Sequence, residues 1–412
     1  MKRQRTHAPG RRALSNVGGR ARLAGDPAVA KALASAARPP GKADPRALTH
    51  GFHAWPARMH PFTAGALIDE GPPGVVADPF MGGGTVVVEA LVAGRAVVAA
   101  DVNPVALEVA WARTRRWSGE RRAALVARAH LAVEAARRFR HGKRVDDAIW
   151  KTESEWFDPP ALAEAWSLAE VLGHTEGPDA DLDRMLRVCL SSVLVKASKQ
   201  VSDSVPVKDA EHAWTPARRV EDWFVAKAEE HAGALAALHR AIRAEGPPRL
   251  LLADARRPPD DVGPVAHVVT SPPYPGVYDY AAHHERRYAL LGLDAGLARS
   301  AEVGARRSVR VVGRADAERH YVNDIAAFLA AWGRHLEPRG RVTLVVGDGQ
   351  APDGPIPTLP LIAAAAREAG FGVLASVSQP RPAFGPGRGK RPPGGRDGKE
   401  EHVIALTPAA AT

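Results

Sequence analysis

Cysteine is nearly missing from this 412-residue chain. With Cys189 as the only one, no disulfide can close within the chain and a thiolate zinc site is excluded. Such usage fits a reducing compartment, the cytoplasm. Long apolar runs are missing too. None approaches the roughly 20 residues that a membrane-spanning helix needs, so no membrane partner is expected and the chain reads as soluble. Acid is missing from the first 25 residues, where Lys2, Arg3, Arg5, Arg11, Arg12, Arg20 and Arg22 stand unopposed. An organellar transit peptide has this flavour. Arginine, alanine, glycine and proline are abundant throughout, however, and residues 1–47 read instead as a disordered basic arm able to touch a nucleic-acid backbone.

Acids are outnumbered overall, 46 against 56 lysines and arginines, which leaves a net charge of +10. That excess attracts a polyanion, nucleic acid first, without needing a specific site. A solubilising surface on an arginine-rich protein accounts for it equally well.

Ordered structure is expected from about Leu48. GVVADPF (Gly74–Phe80) is a short β-rich run, MGGGT (Met81–Thr85) a glycine turn, and VVVEALVAG (Val86–Gly94) a helix-length apolar piece. RAVVAADV (Arg95–Val102) then reads as a second strand, which completes a βαβ unit. Such units imply a parallel sheet with helices on both faces. Strand signals vanish over residues 105–245, which carry helical apolar spacing with a polar break at SKQVSDSVPVKD (Ser198–Asp209). They resume at PRLLLADAR, AHVVTSPPY and GRVTLVVGD, the last after a helix expected around Ile325–His335, and end with FGVLASVSQ and EHVIALTP as an antiparallel pair. The expectation is an α/β fold, a doubly wound Rossmann-like sheet of seven strands. Its first part covers residues 48–110, a mostly helical insertion 111–245, and its second part 246–412. Within the second part, residues 381–399 are basic, rich in proline and glycine, and read as a mobile loop.

In an open α/β sheet, ligands bind outside the carboxyl ends of the strands, near the point where strand order reverses. Asp78, Asp101 and Asp254 each sit at such an end, and Gly82, Gly83 and Gly84 let backbone approach a ligand closely. A dinucleotide fingerprint is incomplete, because Val87 stands where its third glycine belongs, and no Gly-Lys-Ser/Thr follows to make a phosphate loop. An acid ending the second strand suits both ribose hydroxyls, and one ending the third can accept from an adenine amino group. A glycine turn without phosphate-gripping features suits a nucleoside with an amino-acid tail, which describes S-adenosylmethionine. One strand-end acid would carry nothing, since these are common in α/β proteins. Three, with the glycines, point to a cofactor.

DPFMGGGT (Asp78–Thr85) and TSPPY (Thr270–Tyr274) together resemble the first and catalytic motifs of the S-adenosylmethionine-dependent amino-methyltransferases of DNA, the N4-cytosine and N6-adenine group. HAWPARMHP (His53–Pro61) is similar to the segment that precedes the cofactor turn in that family, and EVGARR (Glu302–Arg307) to one that follows the catalytic turn. The resemblance covers roughly residues 48–110 and 246–410. It implies S-adenosylmethionine held by Asp78, Phe80, Gly82, Gly84, Thr85, Asp101 and Asp254. It implies too that Ser271 Oγ and the Pro272 carbonyl accept from a base amino group, that Pro272 and Pro273 hold the turn rigid, and that Tyr274 stacks on an extruded base. Ser before Pro-Pro-Tyr goes more often with cytosine N4 than with adenine N6 in that family. DNA is the expected partner, as in restriction-modification systems, and RNA remains open because RNA amino-methyltransferases carry similar motifs. A nucleic-acid-binding protein that kept the fold without catalysis is the alternative of another class. C5 methylation is excluded, since Cys189 sits on an expected helix as a core residue without the preceding proline that chemistry uses.

Around these motifs, Tyr278 and Arg286, with Arg388, Lys390 and Arg391 of the basic loop, are candidate nucleic-acid contacts. Tyr280, His283, His284 and Arg287 either line a base pocket or cap a helix. No metal is expected, because adjacent histidines on a helix diverge. Lys196, Lys199, Gln200 and Ser202 occupy the polar break, where a solvated helix end accounts for them as well as a substrate contact does.

Overall fold

β-Branched runs that are apolar along their whole length become the middle of one sheet. The protein is seen here in a computed structural model that describes residues 20–173, 179–203, 205–209, 219–380 and 399–409. The strands of its main sheet are β1 (Arg22–Gly25), β2 (Val76–Asp78), β3 (Val97–Asp101), β4 (Arg249–Leu252), β5 (Val265–Thr270), β6 (Leu336–Gly347), β7 (Phe371–Pro380) and β8 (Glu400–Pro408). They lie in the order β1-β7-β8-β6-β5-β2-β3-β4. β4, β3, β2, β5 and β6 are mutually parallel, while β8 runs antiparallel to both of its neighbours. The chain winds outward from β2 to β4, returns to the other side of β2 at β5, and winds on. Strand order therefore reverses between β2 and β5, which opens a crevice above their carboxyl ends.

All seven expected strands are present. The eighth, β1, pairs antiparallel with β7 at the sheet edge. Helix α1 (Pro27–Ala36) follows it, started by Asp26, whose carboxylate accepts from the Val29 N–H, and by Pro27 in the first turn. The arm expected over residues 1–47 is thus corrected from Arg22 onward: a strand and a helix belong to the fold there, with Ala30 and Leu33 in the core. Residues 1–19 of that expectation lie outside the described residues.

Local signals start and stop the elements that matter for the site. β5 is buried along its whole length and ends at Thr270, because Pro272 and Pro273 offer no N–H to continue the ladder. Helix α2 (Pro61–Asp69) precedes β2, and helix α3 (Thr85–Val92) starts from Gly84 in a left-handed conformation. Helix α4 (Pro104–Arg113) starts from Asn103, which accepts from the Val105 N–H at 2.9 Å, with Pro104 as its first residue. The helix expected near Ile325–His335 is longer, Arg314–Gly333, because its N-terminal part is polar and reads weakly as a helix.

One sheet face packs on the Arg314–Gly333 and Thr358–Glu368 helices, through Ile325, Phe328, Trp332 and Ile362. The other carries a larger cluster in which Val86 and Val109 of the sheet domain join Leu125, Phe157, Leu186 and Leu235 of the helical segment. That segment, with helices Gly119–Arg140, Pro159–Gly173, Ala180–Ala197 and Val220–Ala241, shares one continuous core with the sheet. Cys189 is fully buried in it, and burial pushes its thiol well above the ordinary range. Among the described residues no helix is long and apolar enough to cross a membrane.

Because Leu33 is core, Leu33→Ala is expected to cost about 2–4 kcal/mol in urea unfolding, the range for emptying a buried leucine site. An unchanged midpoint would place the N-terminal helix outside the cooperative fold.

Candidate active site

The main cavity lies in the crevice above β2, β3, β4 and β5, and has about 940 Å³ of space counting its open mouth. Its wall draws on four separated stretches of sequence: Trp55–Met59, Asp78–Val86, Asp101–Asn103 and Ser271 with Pro273. Asp254 stands at the β4 edge, while Tyr280 and Glu302 close the remaining side.

Asp78 ends β2 and is 2 % exposed. Its Oδ1 accepts from the Thr270 hydroxyl at 2.6 Å, and Thr270 Oγ1 in turn accepts from the Phe80 N–H at 3.2 Å. The residue before Ser-Pro-Pro-Tyr is thereby fastened to the cofactor-side motif. Burial pushes the Asp78 carboxyl up to about 7, Asp101 adds to this, and the Thr270 hydrogen bond opposes it. Phe80 lies edge-on to Phe328, with ring centroids 5.1 Å apart, and Thr85 is buried on the cavity wall.

Crowding explains the glycine turn. A Cβ on Gly82 would stand 2.6 Å from Trp55 Nε1, one on Gly83 2.7 Å from Arg113 Nη1, and one on Gly84 2.9 Å from Ala110 Cβ. Gly82 and Gly84 also hold φ of +47° and +77°, which a side chain would strain. Asp101 secures the turn: Oδ2 accepts from the Gly82 N–H and Oδ1 from the Asn103 N–H, both at 2.9 Å. Each of its oxygens keeps a lone pair for a ligand. Burial pushes the Asp101 carboxyl up to about 6, against the backbone N–H groups that favour its charge. Asn103, 3 % exposed on the wall, has a side-chain Nδ2 with no hydrogen-bond partner among the described residues. Asp254 lines the cavity but is held by Arg256, which donates from its backbone N–H at 2.9 Å and from Nη2 at 2.7 Å. Arg256 holds the Asp254 carboxyl below its ordinary range despite partial burial.

At the other motif, Ser271 and Pro273 line the cavity and Pro272 is buried behind them. The Pro273 carbonyl accepts from the Tyr321 hydroxyl at 3.0 Å. Tyr274 is a correction. It is 1 % exposed, belongs to the core cluster of Ile325 and Phe328, and does not line the cavity. The loop after the turn, Pro275–Tyr280, folds beside it, and the aromatic ring on the cavity wall is Tyr280. EVGARR braces that loop. Gly276 N–H donates to the Gly304 carbonyl, Arg306 N–H to the Tyr278 carbonyl, Arg307 N–H to Asp279, and Tyr280 N–H to Glu302. Tyr278 is half-buried, its ring 5.4 Å from Tyr280 and 5.8 Å from His283, and it does not line the cavity.

Arg286 is a second correction: its guanidinium pairs with Glu153 at 2.6 Å and lies over Trp156, so it is spent inside the protein. Arg388, Lys390 and Arg391 lie outside the described residues. The described ends of their segment are next to the catalytic loop, since Asp348 N–H donates to the Glu400 carbonyl and Gln350 N–H to the Pro275 carbonyl. In the polar break, Lys196 lies over Trp223, Lys199 pairs with Asp158, and Gln200 Nε2 donates to the Ser202 carbonyl. His283 and His284 are buried, and burial lowers both imidazoles. Among the described residues no group of three or more His, Cys, Asp or Glu could hold a metal ion.

Trp55, Arg58 and Met59 of HAWPARMHP and Glu302 of EVGARR join the cavity wall, beyond the site residues that the motifs imply. Arg113 and Asn103 carried no signal that set them apart from neighbouring arginines and helix caps.

No protein-family model matches the chain, and no curated protein matches it. Among solved structures, TrmN from Thermus thermophilus is similar at 13% identity over 84% of this chain, with a TM-score of 0.31. The chain spans about half, 48%, of that structure's length.

The buried Asp78 carboxyl has a measurable signature. Raised from 3.8 to about 7, it binds a proton more tightly folded than unfolded, so its contribution is most favourable below about pH 4 and is lost as pH rises to 7. The stability of the wild type relative to Asp78→Asn is expected to decline through that window and stay constant above it, read from urea midpoints. A constant difference from pH 4 to 8 would contradict the burial of this carboxyl.

Proposed function

We propose that this protein is an S-adenosylmethionine-dependent methyltransferase that modifies the exocyclic amino group of a base in DNA, cytosine N4 in preference to adenine N6. The observation that carries the reading is the meeting of Ser271 and Pro273 with the glycine turn and Asp101 in one cavity, at the point where strand order reverses. The fold supports it as a mixed α/β sheet with a parallel centre and helices on both faces.

The residues present suit the cofactor. The three glycines, which crowding by Trp55, Arg113 and Ala110 keeps free of any Cβ, leave bare backbone at the turn, Asp101 keeps acceptor capacity for a ribose, and the Asn103 amide is a buried donor without a partner among the described residues. Asp78, Phe80 and Thr85 shape the same wall, and Asp254 is placed for an adenine amino group while held by Arg256. When bound, S-adenosylmethionine supplies a methyl group on a positively charged sulfur.

The chain's own task is to prepare the nucleophile. An exocyclic amine conjugated to a base ring attacks poorly because its lone pair is delocalised. Accepting its two N–H groups at Ser271 Oγ and the Pro272 carbonyl favours a pyramidal nitrogen, and the consecutive prolines fix those acceptors in advance. Tyr280 supplies the flat wall beside them. The nitrogen grows acidic as it is alkylated, so no strong base is needed. Glu302, on the cavity wall and raised by burial, can take up the departing proton. The preference for cytosine N4 rests on Ser271 standing where adenine enzymes more often carry Asp or Asn, and the preference for DNA on the same resemblance.

Nucleoside mass spectrometry of DNA and RNA incubated with protein and S-adenosylmethionine tests the reading. N4-methylcytosine in DNA is the expected product. N6-methyladenine moves the base, modification confined to RNA moves the substrate, and no modified nucleoside in either sinks the enzyme. Ser271→Ala is expected to lower turnover by about 100-fold or more while leaving cofactor affinity nearly unchanged, as loss of a preorganised polar group does. Asp101→Ala should do the reverse, with calorimetric cofactor affinity falling first.

A further inference from the structure

Two arginines are fully buried among the described residues, Arg113 and Arg287. Arg287 is neutralised by Asp203. Arg113 has no carboxylate partner among the described residues. Its guanidinium donates to three carbonyls, those of Gly83, His53 at 2.7 Å and His50 at 3.2 Å, and its Nε has no partner among the described residues. The charge acting on it is another cation: Arg58, which lines the cavity and donates to the same His50 carbonyl. Burial and Arg58 together lower its proton affinity well below the ordinary arginine range.

A buried cation without a counter-charge is unfavourable, and a brace made only of hydrogen bonds to carbonyls needs no charge. The position of the guanidinium supplies a reason for one. A Cβ on Gly83 would stand 2.7 Å from Arg113 Nη1, so the charge lies directly behind the glycine stretch of the cavity wall. The acids Asp101 and Asp254 mark the nucleoside end of the same cavity. At the glycine turn, Arg58 on the wall and Arg113 behind Gly83 add positive charge, in a region of low dielectric where such a field is weakly screened.

We propose that Arg113 is the counter-charge for the carboxylate on the amino-acid tail of the bound cofactor, acting through the glycine turn as a positioning residue that selects for that carboxylate. The inference rests on the S-adenosylmethionine reading. The neutralising anion that the described residues lack is brought by the ligand, and the three carbonyl hydrogen bonds hold the guanidinium, the glycine turn and the Trp55 segment in one arrangement.

The test is calorimetric titration of the full chain with S-adenosylmethionine and with its decarboxylated form, which lacks only the carboxylate. Wild type is expected to bind the carboxylate-bearing ligand at least about tenfold more tightly, and Arg113→Met to bring the ratio close to one by weakening that ligand alone. Arg113→Lys, which keeps the charge with fewer donors, should retain part of the preference. Equal weakening of both ligands in Arg113→Met, with the ratio intact, would make Arg113 a structural brace and overturn the proposal. Should Arg113→Met fail to fold by circular dichroism, a wild-type ratio near one overturns it equally well, as does a preference wholly lost in a folded Arg113→Lys, whereas a preference that falls but persists in that variant supports it. Binding of neither ligand by wild type overturns the cofactor reading itself, which is distinguishable from binding of both without preference.

Discussion

A single side chain, Thr270, holds the crevice together. Its hydroxyl donates to Asp78 and accepts from the Phe80 N–H, bridging two strand ends that are 192 residues apart in sequence. β2 and β5 are neighbours at the point where the sheet changes winding direction, so their following loops diverge and leave a gap. That bridge carries the β2–β5 pairing, whose last paired residues are Ala77 and Val268, one step past the ladder to the strand ends. With it, the glycine turn after Asp78 and the proline turn after Thr270 are set at a defined distance. The cost is visible in the Asp78 carboxyl, which burial makes a weaker acid than an exposed aspartate.

The same economy of contact governs the rest of the cavity. The glycine turn is pressed by Trp55, Arg113 and Ala110 from three sides, and Asp101 ties its first amide. The loop after the catalytic turn has little apolar content of its own and is held by backbone hydrogen bonds to EVGARR. The helical segment contributes as well, since Ser191 bonds His53 at 3.0 Å and Asp203 pairs with Arg287. His284, bonded by Arg287, stacks on Trp55 at 4.5 Å. The segment is thus a buttress for the cavity wall.

Legibility followed the range of the physics involved. The strands in the middle of the sheet, and the acids that end β2 and β3, could be read because burial on both faces demands apolar runs, and strand direction sets which end those acids occupy. β1 could not, since RLAG is exposed along its length and is a strand only because the β7 edge offers it a partner. Tyr274 and Arg286 were misplaced for a related reason. A motif names residue types, and whether an aromatic ring turns into the core or an arginine meets a buried glutamate depends on elements far away in sequence, here Tyr321's helix and Glu153.

Sequence alone therefore determined the class of fold, the end of the sheet where the main cavity lies, and the two turns that meet there. These follow from local rules: proline stops a ladder, glycine permits a left-handed turn, and β-branched runs make strands. Only the tertiary structure decided that Tyr280 rather than Tyr274 reaches the cavity wall, and that an arginine among several in ARTRR lies buried behind the glycines with no acid to match it among the described residues. Burial and pairing are properties of three-dimensional neighbours, and neighbours that meet across a hundred residues leave no mark on either stretch of sequence.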